Sequence, residues 1–177
     1  MIASLALLAL LAASASPPAK ADAPRPETPF GPEWQAIAGS WTAEGDGSPG
    51  VGSGASSFRF ELEGRVLVRR STADYPATEG RPAVHHEDLL VFHSPAGHEA
   101  AADYWDNEGH VVRYAATWSA DGKVLTLVSD RTGGGPRYRL VYTIPAPERA
   151  TVTFEIAPPG SDTFRTYVGG ALKRVAR

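Results

Sequence analysis

The densest group of side chains that could carry chemistry is the run His85, His86, Glu87 and Asp88. Because side chains alternate along a strand, His85 and Glu87 share one face, and His86 and Asp88 share the other. A zinc site needs three or four converging ligands, so His93 or another strand would have to complete either pair. The simpler interpretation is a polar strand entry, partly solvated and paired with neighbouring arginines. The run therefore does not by itself predict a metal site.

Two further chemical patterns are incomplete. The stretch Asp103 to Gly109 has alternating carboxylates that suggest calcium, but it lacks the loop length and terminal Glu of an EF-hand, and a hairpin turn explains it better. No Gly-x-Ser-x-Gly elbow is present, and the chain contains no cysteine to act as nucleophile, thiolate ligand or disulfide partner. The sequence thus favours a non-enzymatic protein.

Charged and aromatic residues within apolar strand patterns are candidates for ligand binding. Arg70 is the main one, because it shares a strand face with Val66 and Val68, and Arg113 and Arg139 are similar cases. Aromatic side chains on apolar faces either fill a core or line a ligand, and core filling is the simpler role for most of them. Those predicted to reach a ligand are Phe58, Phe60, Tyr114, Trp118 and Tyr138, whereas Tyr142 and Phe154 share the pattern.

These residues lie on segments that alternate with a period of two, which is typical of antiparallel strands with one buried face. Phe58, Phe60 and Leu62 share one face of the clearest segment. Glycine, Asn and Asp punctuate the series, so short turns connect neighbouring strands. The predicted fold is all-β, a closed antiparallel up-and-down barrel of about ten strands, with a two-sheet sandwich as the alternative. The strand-like segments are 40–45, 57–63, 65–75, 86–93, 98–105, 110–119, 123–130, 137–144, 151–157 and 163–175.

A barrel of this size leaves room for a ligand. About eight strands enclose side chains or one small molecule, and ten enclose more, so the barrel should contain a cavity. Ahead of the strands, residues 32–38 offer one or two helical turns that could plug one end of the barrel.

The first part of the chain resembles an export signal. Residues 1–13 form an apolar stretch too short to cross a bilayer and followed by small residues, although no Lys or Arg precedes it. We expect a signal peptide over 1–23, a Pro/Ala-rich spacer over 24–32 and the barrel domain over 33–177, with an uncleaved anchor as the alternative. The mature protein would be periplasmic or secreted, without stable membrane insertion. A net charge of −3 without a basic block argues against nucleic-acid binding.

Both ends of the predicted domain carry a family resemblance. Gly39-Ser40-Trp41 opens the first strand and resembles the Gly-x-Trp signature of calycins, which include lipocalins, fatty-acid-binding proteins and nitrobindins. The resemblance implies that a basic residue of the last strand packs on Trp41, and Arg174 is in place for that closing contact. An indole face against a guanidinium contributes about 0.5–2 kcal/mol. This pair would be structural.

The longer motif Trp41-x-x-Glu44-Gly45-x-Gly47 resembles nitrobindin-like heme-binding barrels and a related bacterial family of lipocalin-like domains. That resemblance implies heme with peroxynitrite or NO chemistry, bound through a His near the start of the final strand. Residues 164–170 contain no His here, so Tyr167 would have to serve as the iron ligand.

Three functions follow from these observations. The first is a non-enzymatic carrier or sensor that binds a small hydrophobic molecule in the barrel lumen, with no cofactor required. The second is a heme-binding barrel. The third is a structural envelope protein whose barrel is filled by its own side chains. Oligomeric state is not predicted.

Overall fold

The structure is a computed structural model that describes residues 29–48, 52–94, 99–131 and 134–176. The predicted signal peptide and most of the predicted spacer lie outside this part of the chain. Within it, no helix is long and apolar enough to cross a membrane. The elements are α1 (Glu33–Ile37), β1 (Gly39–Ser48), β2 (Ser53–Glu61), β3 (Val66–Tyr75), β4 (Val84–His93), β5 (Ala101–Asp106), β6 (Val111–Trp118), β7 (Val124–Ser129), β8 (Arg137–Ala146), β9 (Arg149–Ala157) and β10 (Arg165–Arg174).

The ten strands form one closed antiparallel barrel, so the predicted fold class is confirmed. Each strand pairs with its neighbours in the sequence, and β10 pairs with β1 to close the sheet. Short turns between alternating segments produce this meander, and closure leaves no exposed sheet edge. The sandwich alternative is therefore wrong.

Cross-strand pairing fixes which side chains face the lumen. Phe58 pairs with Arg69, which pairs with Leu90, and all three are buried. Residues at even spacing from these continue the inward rows, because strand side chains alternate between the faces. Leu62 does not extend the row of Phe58, as the sequence pattern suggested. It lies in a helical turn over Leu62–Gly64, and 72% of it is exposed.

Helix α1 plugs one end of the barrel, as the sequence predicted. Its Trp34 and Ile37 are buried, and the Trp34 ring packs edge-on against Phe92 at 5.2 Å and Trp118 at 5.6 Å between ring centroids. Phe30, just before the helix, packs on Trp34 at 4.9 Å. A helix of five residues is too short to be stable alone, so this apolar packing holds it in place.

The expected contact between the chain ends is present at the plugged end. The Arg174 guanidinium lies 4.1 Å above the Trp41 ring, and Trp41 Nε1 donates a 2.9 Å hydrogen bond to the carbonyl oxygen of Ile37. Arg174 also donates to the carbonyl oxygens of Ala36 and Ala38. Gly39 is required beside it, because its φ is +122° and a Cβ atom there would lie 2.6 Å from Arg174 Nη1.

Candidate functional site

The lumen has two halves with different linings. In the plugged half, next to α1, the inward side chains are apolar and closely packed, and they include Phe58, Leu67, Phe92 and Leu125. In the mouth half, at the other end of the same strands, the inward rows carry polar and aromatic residues. The polar ones form a cluster that consists of Arg69, His86, Asp88, Tyr104, Asp106, Tyr114, Tyr138 and Tyr142, which we call the lumen cluster.

Arg69 is the innermost charge of the lumen cluster. Only 5% of it is exposed, and its Nη1 and Nη2 donate to the Tyr142 hydroxyl and to Asp88 Oδ1. Its Nε is buried and has no hydrogen-bond partner among the described residues. A guanidinium stays charged in proteins, so this buried ion pair depends on Asp88 for its counter-charge.

His86 lies above Asp88 on the same inward face of β4. Its Nε2 is 3.5 Å from Asp88 Oδ2 and 3.3 Å from the Tyr104 hydroxyl, and its Nδ1 is 3.1 Å from Glu108 Oε1. The hydrogen bond to Asp88, with a further one to Glu108, raises the pKa of His86 to about 9 although partial burial opposes the shift. His86 is therefore protonated near neutral pH, and both ring nitrogens act as donors.

Asp106 ends the polar series at the mouth and organises the β5–β6 turn. It accepts hydrogen bonds from the backbone N–H groups of Glu108 and His110, from His110 Nδ1 at 2.8 Å and from the Tyr104 hydroxyl at 3.1 Å. Burial would raise the pKa of Asp106, but the hydrogen bonds from His110 and Tyr104 lower it overall. The acidic stretch is thus a hairpin turn, and no three His, Asp or Glu side chains of the described ranges converge as metal ligands.

Tyrosine rings form much of the mouth wall. Tyr114 is 3% exposed and packs edge-on against Tyr104 at 6.4 Å, while Tyr138 stacks on Phe154 at 5.8 Å. Burial raises the pKa of Tyr114 well above its usual value, and the nearby Tyr138 and Tyr142 phenols add to the rise against the charge of Arg69. Neither the Tyr114 nor the Tyr138 hydroxyl has a hydrogen-bond partner in the described part of the chain.

Open space adjoins this wall at Gly170 of β10. Gly170 pairs with Val152 and lies two residues before the buried Leu172, so it belongs to an inward row. A Cβ atom built on Gly170 would meet no heavy atom of the described residues within 4 Å. The inward row of β10 therefore leaves open space in front of Gly170 among the described residues.

The predicted aromatic residues all face the lumen, but they divide between its halves. Phe58 is buried, while Phe60 and Trp118 are half-buried and pack against the core of the plugged half. Trp118 Nε1 is buried without a partner among the described residues. Tyr114 and Tyr138 are the members of the predicted set that lie in the mouth half, and Tyr114 is close enough to Arg69 to feel its charge.

Three of the predicted polar residues are elsewhere. Arg70 is exposed on the outer face, opposite Leu89, so the expectation that it points inward is wrong. Val68 is buried although it is on the same outer face as Arg70, so an apolar neighbour at this spacing does not mark the lumen side. Arg113 is likewise exposed, opposite Asp103, and Arg139 forms an ion pair with Glu155 on the outer face.

Tyr167, the residue considered for iron, lies at the mouth rim. It is 67% exposed and contacts Phe154 edge-on at 6.1 Å. It stands at a bulge between Thr166 and Val168, where the pairing with β9 shifts register. Its hydroxyl is not part of the lumen cluster.

The histidine and acid run of β4 divides as alternation predicted. His86 and Asp88 face the lumen, whereas His85 is on the outer face, where its Nδ1 lies 2.6 Å from Asp74 Oδ1 in an exposed pair. Sequence reasoning missed Arg69 and the role of Asp88. A signal was available in the charges: if Asp88 shares an inward face with Leu90, its buried carboxylate needs a cation on the adjacent strand, and Arg69 is that cation.

Two surface grooves lie apart from the lumen cluster. One of about 600 Å³ is lined at the rim by residues that include Tyr75 and Val84. The other, about 230 Å³, lies beside Arg131 and Arg137, whose charges already pair with Asp162. Neither groove includes a member of the lumen cluster. The candidate site is therefore the lumen cluster and not the larger groove.

Comparisons with known proteins identify no relative from which a function could be inferred, so function is inferred from the fold and the site. No protein-family model and no curated protein sequence matches this chain.

Proposed function

We propose that this protein is a calycin-like barrel that binds a small, largely apolar molecule in the mouth half of its lumen, without catalysing a reaction. The open space at Gly170 beside the tyrosine wall is the observation that carries this proposal. Ligand sites are typically concave and mostly apolar, with a few fixed polar groups that orient the ligand. The lumen cluster supplies those groups, and Phe154 and Val152 supply apolar wall.

The calycin assignment is supported by the corner at the plugged end. Gly39, Trp41 and Arg174 make the contact that the Gly-x-Trp resemblance implied. The leader-like residues 1–23 favour a site of action outside the cytoplasm. A carrier or a sensor fits both features.

The positions of the candidate iron ligands do not favour heme. A protonated His86 has no free lone pair, and its ring nitrogens already face Glu108, Tyr104 and Asp88. Tyr167 is 67% exposed at the mouth rim. A barrel filled throughout fits poorly with the space in front of Gly170.

Filling the open space tests the proposal. Gly170→Leu places a side chain into the mouth half, and Ala171→Leu adds one of the same size to the exposed outer face of the same strand. Delipidated wild-type protein and Ala171→Leu should bind the uncharged dye Nile red saturably, at one equivalent, with increased fluorescence. Gly170→Leu should lose most of this binding while its circular dichroism stays that of a folded barrel. Equal binding by the two variants would show that the dye does not use the lumen.

A further inference from the structure

The chemistry of the ligand can be read from the hydrogen bonds that the lumen cluster leaves unmade. The hydroxyls of Tyr114 and Tyr138 have no partner in the described ranges, and neither has Arg69 Nε. The Tyr142 oxygen accepts from Arg69, which leaves its own proton to be donated. Arg69 Nε is a buried donor without a partner, which is unfavourable, whereas the two tyrosine hydroxyls are not among the buried unpartnered atoms of the described residues and are accessible to a molecule in the lumen.

The carboxylate acceptors of the same cluster are already engaged. Asp88 Oδ1 accepts from Arg69, and Oδ2 faces His86. Asp106 accepts from Tyr104 and from His110. The groups left over in the described mouth half are Arg69 Nε, which only donates, and tyrosine hydroxyls, which can both donate and accept. All of them can donate to a hydrogen-bond acceptor on the ligand.

Charge decides which kind of acceptor fits. Arg69 is balanced by Asp88, and protonated His86 faces Asp88 and Glu108. A carboxylate that entered the lumen cluster would be desolvated next to two existing carboxylates, Asp88 and Asp106, and the two cations of the cluster, Arg69 and His86, already face carboxylates. A carbonyl oxygen accepts from the same hydroxyls at a much smaller desolvation cost.

We infer that the ligand is an uncharged carbonyl compound, such as a ketone, quinone or ester with an apolar body, whose oxygen accepts hydrogen bonds from Tyr114 and Tyr138. The inference rests on the proposed lumen site and adds the ligand class to it. The rings of Tyr104 and Phe154, which pack on these two tyrosines, would contact the apolar body.

Three matched fluorescent naphthalenes test this chemistry. They are the ketone Prodan (propionyl-dimethylaminonaphthalene), the carboxylic acid on the same dimethylaminonaphthalene, and the parent dimethylaminonaphthalene without either group. Wild-type protein at pH 7 should bind the ketone about tenfold more tightly than the parent compound, the effect of about one to two buried hydrogen bonds. It should bind the carboxylate more weakly than the ketone.

Tyrosine-to-phenylalanine variants locate the contact. Tyr114→Phe should weaken ketone binding about fivefold or more and leave the affinity for the parent compound unchanged, because only the hydroxyl is removed. Tyr138→Phe should act in the same direction, and Tyr167→Phe, at the exposed rim, is the matched control without effect. Since the Tyr114 hydroxyl has no partner in the described chain, Tyr114→Phe should unfold at the wild-type temperature or above.

The outcomes separate this inference from the proposed function. If all three probes bind and Gly170→Leu blocks them, but neither tyrosine variant alters the ketone preference, the carbonyl inference is wrong and the lumen site stands. Tightest binding of the carboxylate would also overturn the inference. If no probe binds wild-type protein saturably, or Gly170→Leu binds like the wild type, the lumen site is wrong and the carbonyl inference is lost with it.

Discussion

The two halves of the lumen are built on the same ten strands but differ in what they do with buried side chains. In the plugged half, Trp34 of α1 packs edge-on into Phe92 and Trp118, and the core side chains leave little space. In the mouth half, Arg69 and Asp88 form a buried ion pair, and Gly170 faces open space. One half is an apolar core, and the other contains the proposed ligand site.

The change takes place along individual strands. In β3 the inward row runs from Leu67 to Arg69, and in β4 it runs from Leu90 to Asp88. A single step of two residues therefore moves from apolar core to polar cluster. The position of a residue along its strand, as well as its face, determines whether it lies in the apolar core or in the lumen cluster.

The largest effect should come from removing a ring of the plugged half. Phe58 is 1% exposed and contacts Phe92 and Tyr142, so Phe58→Ala should lower the free energy of unfolding by about 4 kcal/mol through lost burial and a residual cavity. Phe154→Ala removes the same group from the mouth half, where the ring is partly exposed, and should cost about 1–2 kcal/mol. Guanidinium unfolding curves measure both, and equal losses would mean that the two halves are packed alike.

The next effect concerns the buried ion pair of the mouth half. Asp88→Ala leaves the Arg69 guanidinium buried with Tyr142 as its remaining partner and should cost about 3 kcal/mol in urea or guanidinium unfolding. The outer pair of Arg139 and Glu155 is the control, since Glu155→Ala should cost less than about 1 kcal/mol.

A double variant shows whether the loss comes from the unpaired charge. Arg69→Met with Asp88→Leu removes both charges and fills the space with apolar groups, so it should recover most of the stability that Asp88→Ala loses. If the double variant is as unstable as Asp88→Ala, the ion pair itself stabilises the fold, and the loss in Asp88→Ala is not due only to the unpaired charge of Arg69.

Strand count, order and closure could be predicted from the sequence because they depend on alternation and on short turns, which are local. The lumen cluster could not, because it depends on which of two neighbouring residues faces inward. Arg69 and Arg70 are adjacent and have the same side chain, so the sequence does not show which of the two faces the lumen when the assigned register of β3 shifts by one residue. Val66 and Val68 then made the outer face resemble a core face.

The Trp41 and Arg174 contact, by contrast, could be anticipated, because a sequence motif marks each partner and both lie at the chain ends. Tyr114 and Tyr138 were predicted as ligand-facing from aromatic alternation, but their unpaired hydroxyls depend on the positions of groups on other strands. Tertiary hydrogen bonding of this kind leaves no local pattern in the sequence.

The smallest expected effect is a change with pH in the stability that His86 contributes to the mouth half. Hydrogen bonds to Asp88 and Glu108 raise the pKa of His86 to about 9 in the folded protein, from an unfolded value of about 6.5. The stability that protonated His86 contributes is therefore complete below about pH 6.5 and is lost as the pH rises through about 9. Wild-type protein should lose stability relative to His86→Gln across this window, whereas Phe58→Ala should keep the wild-type pH dependence because it lies in the plugged half.

The groups that face His86 determine the pH range over which that experiment can be interpreted. Asp88, Glu108 and Tyr104 all lie within 3.5 Å of its ring nitrogens. Burial raises the pKa of Tyr104 above its ordinary value, so tyrosine ionisation destabilises the fold only above about pH 10, and unfolding should be compared between pH 6 and about 9.5. Parallel stability curves for wild type and His86→Gln would mean that His86 is not held protonated by the mouth half. Curves that converge as the pH rises would place a titrating charge at the entrance of the proposed ligand site.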